Sequence, residues 1–307
     1  MPTPPSSAPW LRAGQLVALL LTGAAYWGLA YATPRTHFGQ LLGLFAVAGA
    51  AYAWLLHTRL PLRWGLGAAL VFRLLWLPAT PALSNDFYRF RWDGLLVSHG
   101  HNPFAKTPRQ LLAATPTDSA ALPLPELRHL LPLLNSPAYF SVYPPVCQAL
   151  YGAAARAFPT SQTGFLMVVR GALLLADAGA AALLLWLLPL AGWPARRALA
   201  YLLHPLAVVE VMGNVHMEGA VVFFLLLTGA LLARRRAGWP PGAGPGRGHQ
   251  AAAAAGAAAA GPAAGAAALS LVFGGAGGQP RAAVSPLSFV GFTAAHRPQP
   301  GLVFPKF

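Results

Sequence analysis

The sequence predicts an all-α protein: a polytopic transmembrane helix bundle of about six spans, a long external loop containing short helices, and a disordered C-terminal tail. Three observations lead there. Of 307 residues, 56% are hydrophobic and only 9% charged, with mean hydropathy +0.53, where soluble domains carry about 25% charged residues. Apolar stretches near the ~20 residues that a bilayer requires recur through the first three quarters of the chain. Arginines gather at the ends of these stretches, as they do in cytoplasmic loops.

Taken in order, residues 13–31 and 39–57 are each apolar enough to span, joined by the short turn T-P-R-T-H-F. A third span, 62–80, contains Arg73, and an intramembrane charge of this kind faces a cavity or a partner inside the bundle. The polar segment 81–137 holds Asp86, Asp93, Lys106, Asp118 and Glu126, with a Pro-rich middle that reads as loop and short helices. Residues 138–158 are apolar but interrupted by Pro144-Pro145, which makes them an interfacial or re-entrant piece rather than a span. The strong span 164–190 has Arg170 near its start and Asp177 inside it. Asp177 is expected to pair with Arg73 or Arg170, because an unpaired buried charge is costly.

After the basic turn Ala195-Arg196-Arg197 come a span over 198–212, the turn G-N-V-H-M-E-G, and a last apolar run over 219–233 that ends in Arg234-Arg235-Arg236. With the basic turns placed in the cytoplasm, residues 81–163 and 213–218 fall together on the opposite side. Asp86, Asp93, His216 and Glu218 then share one face of the membrane, and this convergence marks them as a site. Residues 1–236 form the membrane domain and 237–307 a low-complexity Ala/Gly/Pro-rich tail, too poor in large apolar side chains to offset the entropy of ordering. Two readings of the tail stand side by side: a linker, or the product of a shifted reading frame that truncates the membrane domain.

The formal charge of +14 does not indicate a nucleic-acid partner. In residues 1–218 the basic side chains mostly flank apolar spans, and no groove-like interleaving of basic and aromatic residues is visible. The single cysteine, Cys147, permits no internal disulfide. No Gly-rich strand-to-helix phosphate loop occurs, which argues against a soluble nucleotide-binding enzyme.

The chain is organised around Ser84–Phe104, S-N-D-F-Y-R-F-R-W-D-G-L-L-V-S-H-G-H-N-P-F, which holds two of only seven acids. Read as a helix, Asp86, Arg89 and Asp93 stand at i, i+3 and i+7 on one face. The two carboxylates would lie roughly 10 Å apart, too far to share a metal ion; no metal ligand is assigned and no cofactor is expected. One carboxylate as a base beside an arginine that holds an anion fits better. A plain helix start is the competing account: Ser84 or Asn85 as N-cap, with Asp86 in the first turn, where the helix dipole favours an anion.

This stretch resembles a known family when taken with Y-F-S-V-Y-P-P-V-C-Q-A-L-Y and H-P-L-A-V-V-E-V-M-G-N-V-H-M-E-G. Over about residues 13–236 the chain is similar to bacterial GT-C superfamily membrane glycosyltransferases of the polyprenyl-phosphate-mannose-dependent kind. The resemblance implies a bacterial-type inner membrane protein with its active site facing away from the cytoplasm. It implies transfer of a hexose, mannose by analogy, from a polyprenyl-phosphate donor to a hydroxyl of a glycan or lipid acceptor, with inversion. Asp86 matches the family's base, and Asp93 is the second candidate acid. Arg89, Arg91 and His101 are candidates for the donor phosphate, with Tyr143, His216 and Glu218 for donor or acceptor hydroxyls. Family members continue with several more spans where this chain has its tail, so an inactive remnant of such an enzyme is one alternative. The other is a transporter with Arg73, Asp177 and Glu210 along a pathway, against which stands the absence of an internal repeat.

Overall fold

A computed structural model describes residues 9–115 and 122–236 of the chain. Among these residues the regular structure is helical throughout. The expected disordered tail and Asp118 lie outside the described residues.

Helices α1 (Pro9–Tyr31) and α2 (Phe38–His57) form an antiparallel hairpin. Its two ends are tied by side chains. At the turn, Gln40 Nε2 donates to the Ala32 carbonyl and to Thr33 Oγ1, each at 3.0 Å. At the other end, Gln15 Nε2 donates to the Thr58 carbonyl at 3.1 Å. Helix α3 (Leu62–Leu75) packs on α1 through an edge-on contact of Tyr26 with Phe72, ring centroids 5.2 Å apart. Pro78 biases Leu77 away from helical angles, and the chain leaves the helix there. The expected third span therefore ends at Leu75 rather than at residue 80, and its 14 residues give a helix of only about 21 Å.

Helix α4 (Asp86–Ser98) carries the organising stretch. The short helices α5 (Pro108–Ala114) and α6 (Leu124–Leu130) follow. Helix α5 opens on a capping box in which Thr107 and Gln110 exchange hydrogen bonds at 3.1 and 3.3 Å. Helix α7 (Pro145–Ala157) has Pro145 in its first turn, where the missing N–H costs nothing. It packs along α4 so closely that a Cβ on Gly94 would stand 2.4 Å from the Tyr151 carbonyl oxygen. At 13 residues it is too short to cross a bilayer.

Helix α8 (Gln162–Leu190) is the longest, opened by Ser161, whose Oγ accepts the Gly164 N–H at 3.1 Å. The continuous span expected over 198–212 does not form. Instead the chain makes a 3₁₀ turn (Ala195–Ala198), the one-turn helices α9 (Leu199–Leu202) and α10 (Pro205–Val208), and a π-helical turn (Val209–Gly213). Pro205 is the reason. It holds His204 in an extended conformation and supplies no N–H to continue the ladder. Helix α11 (Glu218–Arg236) follows, bent 113° from the segment before it.

Among the described residues, three helices, α1, α2 and α8, are long and apolar enough to cross a membrane, or four segments if Pro205–Gly213 and α11 count as one broken span. Large apolar side chains stand exposed along the bundle, among them Leu20, Trp27, Leu42, Val71, Leu175 and Leu225. An outer surface of this kind suits hydrocarbon rather than water.

Candidate functional site

Asp86 is the first residue of α4, and its carboxylate is about one third exposed. The Ser84 hydroxyl accepts its backbone N–H at 3.2 Å, which settles the helix start locally. One carboxylate oxygen accepts Asn135 Nδ2 at 2.5 Å. The other faces His216 Nε2 at 3.7 Å. Two segments far apart in sequence thus meet at the end of α4.

His216 is held from behind. Its Nδ1 lies 2.7 Å from Glu210 Oε2, its backbone N–H donates to the Glu210 carbonyl at 3.0 Å, and Asn214 Nδ2 donates to the same Glu210 carboxylate oxygen at 3.2 Å. The backbone between Glu210 and His216 is unusual. Glu210 sits in the π-helical turn, and the buried Val215 has φ +63°. A β-branched residue in the left-handed region is strained, and π-turns recur at functional sites. The Glu210 hydrogen bond is the largest influence raising the His216 pKa above 6.5. Burial opposes it, and the charges of Glu210, Glu218 and Asp86 add to it.

Both ends of this site are fixed by one buried side chain. Arg170 of α8 donates through Nη1 to the carbonyls of Leu77, at 3.1 Å, and Ala79, before α4. Through Nε and Nη2 it donates to the carbonyls of Met212 and Gly213, at 2.7 and 3.1 Å. The absence of a side chain at Gly213 admits the ring of Trp76, which would stand 3.0 Å from a Cβ there. Sequence reasoning offered Arg170 only as a possible partner of Asp177 and missed this task. The available signal was an arginine inside an otherwise apolar helical run.

The rest of the organising stretch points into the protein. Asp93 is fully buried. It accepts Arg89 Nε at 2.9 Å, the Ser141 hydroxyl, and Gln148 Nε2 at 3.0 Å. Neither of its carboxylate oxygens is open to the Asp86 end, which corrects the expectation of a catalytic Asp93. Arg89, 3% exposed, also donates through Nη1 to the carbonyls of Tyr139 and Ser136, at 2.9 and 3.4 Å. Its Nη2 is buried without a hydrogen-bond partner among the described residues.

Arg91 is buried on another side of the helix. It pairs with Glu126 at 2.7 Å and donates to the carbonyls of Phe158, Pro159 and Ser161. The expectation that Arg91 contacts a phosphate at the same place as Asp86 is therefore corrected: its donors bind α6 and the α7–α8 turn. His101 is placed beyond the far end of α4, roughly 18 Å along the helix from Asp86, and does not join the site either.

Tyr143 does approach it. Burial raises its pKa first, and the nearby charges of Asp86 and Asp93 add to the rise. Its ring packs edge-on against Phe90 at 4.8 Å. Glu218 opens α11 and acts electrostatically on both His216 and Cys147. Burial raises the thiol pKa of Cys147, which keeps it protonated and unreactive.

The second buried ionic group lies in the bundle. Arg73 pairs with Asp177 and donates to the carbonyls of Ala69 and Leu202, at 3.0 and 2.7 Å, while Tyr201 donates its hydroxyl to Asp177 at 2.7 Å. The pair borders an apolar groove of about 270 Å³ between α3 and α8. Both charges are satisfied internally, as the sequence expectation for Asp177 required.

Among the described residues no group of three or more acidic, His or Cys side chains is placed to hold a metal ion. Comparison of the chain with protein-family models, curated proteins and solved structures finds no match.

Proposed function

We propose that the chain is a multi-pass membrane glycosyltransferase that moves a hexose, mannose by analogy, from a polyprenyl phosphate to a hydroxyl of a glycan or lipid acceptor. The acceptor O–H bond breaks and its proton passes to the Asp86 carboxylate. The acceptor oxygen bonds the anomeric carbon from the face opposite the phosphate. The bond from that carbon to the phosphate oxygen breaks, its electron pair leaves with polyprenyl phosphate, and the configuration inverts. A positioned carboxylate contributes typically ~10²–10⁴-fold to such a step.

One observation carries this reading. Asp86 is the partly open acid of α4, and it stands against His216 from the second outward turn, while Asp93 is sealed. Tyr143 lies within electrostatic reach of the same carboxylate. Arg89 and Arg91 act in this scheme as braces for the surrounding loops.

The topology belongs to the same proposal. It counts six crossings of an inner membrane: α1, α2 and α8 at full length, α11, and two short ones, α3 and the broken segment 199–213, which fall below the thickness of a bilayer and require it to thin around them. Residues 81–163 and 213–218 then face away from the cytoplasm. The adjacency of Asp86 and His216 supports it, since both turns must lie on one side. The experiment is transfer from radiolabelled polyprenyl-phosphate mannose by the full chain in nanodiscs, with Asp86→Asn beside it. Equal turnover by the two would remove Asp86 from the reaction and leave it as a helix-start residue.

A further inference from the structure

We propose that Glu210 and His216 form a positioning arm for Asp86, in which Glu210 fixes the imidazole through Nδ1 so that its Nε2 side orients the Asp86 carboxylate. The inference rests on the reading of Asp86 as the base. It makes His216 and Glu210 positioning residues that act through Asp86.

Geometry carries the argument. His216 lies between two carboxylates, 2.7 Å from Glu210 and 3.7 Å from Asp86. The groups facing it from each neighbouring element are Asp86 at the start of α4, Glu210 in the π-turn and Glu218 at the start of α11. All three are acids. An imidazolium between Glu210 and Asp86 is attracted to both, which fixes where the Asp86 carboxylate points.

The arm is also built to stay in place. Glu210 is held by Asn214, the His216 N–H closes on the Glu210 carbonyl, and Arg170 grips the Met212 and Gly213 carbonyls beneath. The left-handed Val215 turns the chain so that residue 216 faces Asp86. Strain maintained by this many contacts at one side chain suits a positioning task.

The test has two readouts. The first needs no activity: NMR titration of ¹³C-labelled histidine in the full chain in nanodiscs, with the His216 signal assigned by its loss in His216→Gln. The arm requires His216 to titrate above the ordinary 6.5, to fall toward it in both Glu210→Gln and Asp86→Asn, and to stay high in Glu210→Asp. The second is the split of kcat from KM in sugar transfer. His216→Gln should lose kcat with the donor KM and the melting temperature little changed, because the residue acts through the base, whereas a purely structural residue would move stability and KM together.

A His216 that titrates at the ordinary value and ignores both substitutions overturns the arm whatever the activity. An unchanged kcat in the His216→Gln protein also overturns it. If the titration behaves as expected but the wild-type chain transfers no sugar, the transferase reading fails while the Glu210–His216–Asp86 coupling stands on its own.

Discussion

Arg89 and Asp93, one helical turn apart on α4, form a buried ion pair at 2.9 Å from which the 136–141 loop is hung. Arg89 takes the carbonyls of Ser136 and Tyr139, and Asp93 takes the Ser141 hydroxyl. Removing one member leaves the other charged and buried, a loss of about 3–5 kcal/mol. Asp93→Ala is therefore expected to lower thermal stability in detergent sharply. Asp93→Asn, which keeps the hydrogen bond from Ser141, should lose less. Differential scanning fluorimetry of the two variants checks the order.

For Asp86 the expected effects are opposite in kind. Asp86→Asn should leave the melting temperature nearly unchanged, because the carboxylate is partly exposed and Asn keeps its size. Turnover should fall by ~10²–10⁴-fold, with donor binding little affected, because the proton moves only in the transition state. Steady-state kinetics beside equilibrium binding of polyprenyl-phosphate mannose separates the two.

The Arg73–Asp177 pair predicts a non-additive pair of mutations. Arg73→Met or Asp177→Leu alone should each destabilise by about 3–5 kcal/mol, whereas the double substitution should be close to neutral. A double-mutant cycle on thermal stability gives the coupling. A strictly additive cycle would mean that the carbonyls of Ala69 and Leu202, not Asp177, are what Arg73 answers to.

The protonation of His216 gives a pH dependence with a definite sign. Its pKa is raised in the folded protein above the ordinary 6.5. The imidazolium therefore contributes stability that is fully present below pH 6.5 and is lost as pH rises through the folded value. His216→Gln should remove this decline. Melting temperatures between pH 5.5 and 9, wild type beside variant, test it.

Much of the bundle was legible in the sequence because hydropathy and charge placement act over whole segments. The arginine distribution put Asp86 and His216 at one end of the bundle, where they stand 3.7 Å apart. Asp177 required a buried cation, and Arg73 supplies it. Finer expectations failed where a single residue overrides a pattern. Pro78 and Pro205 cut two apolar runs that composition alone reads as spans.

The α4 spacing was read correctly as one face for Asp86, Arg89 and Asp93, but spacing does not say what covers that face. The close approach of α7 at Gly94 and the loop carrying Ser141 seal Asp93, and only the first turn stays open. The role of Glu210 was hidden for a similar reason. A π-turn and a left-handed valine leave no periodic signature.

Arg170 makes its connections to main chain alone: four carbonyls, two from each side of the site. A tie to backbone is indifferent to the side chains at residues 77, 79 and 212, which answer instead to the packing of the core, where Ala79 and Met212 are buried. The whole constraint is concentrated in one codon. A lysine there would carry the same charge, yet a single ammonium with three donors cannot reproduce a planar fork that reaches four acceptors in two turns. The arginine at 170 therefore has no conservative exchange.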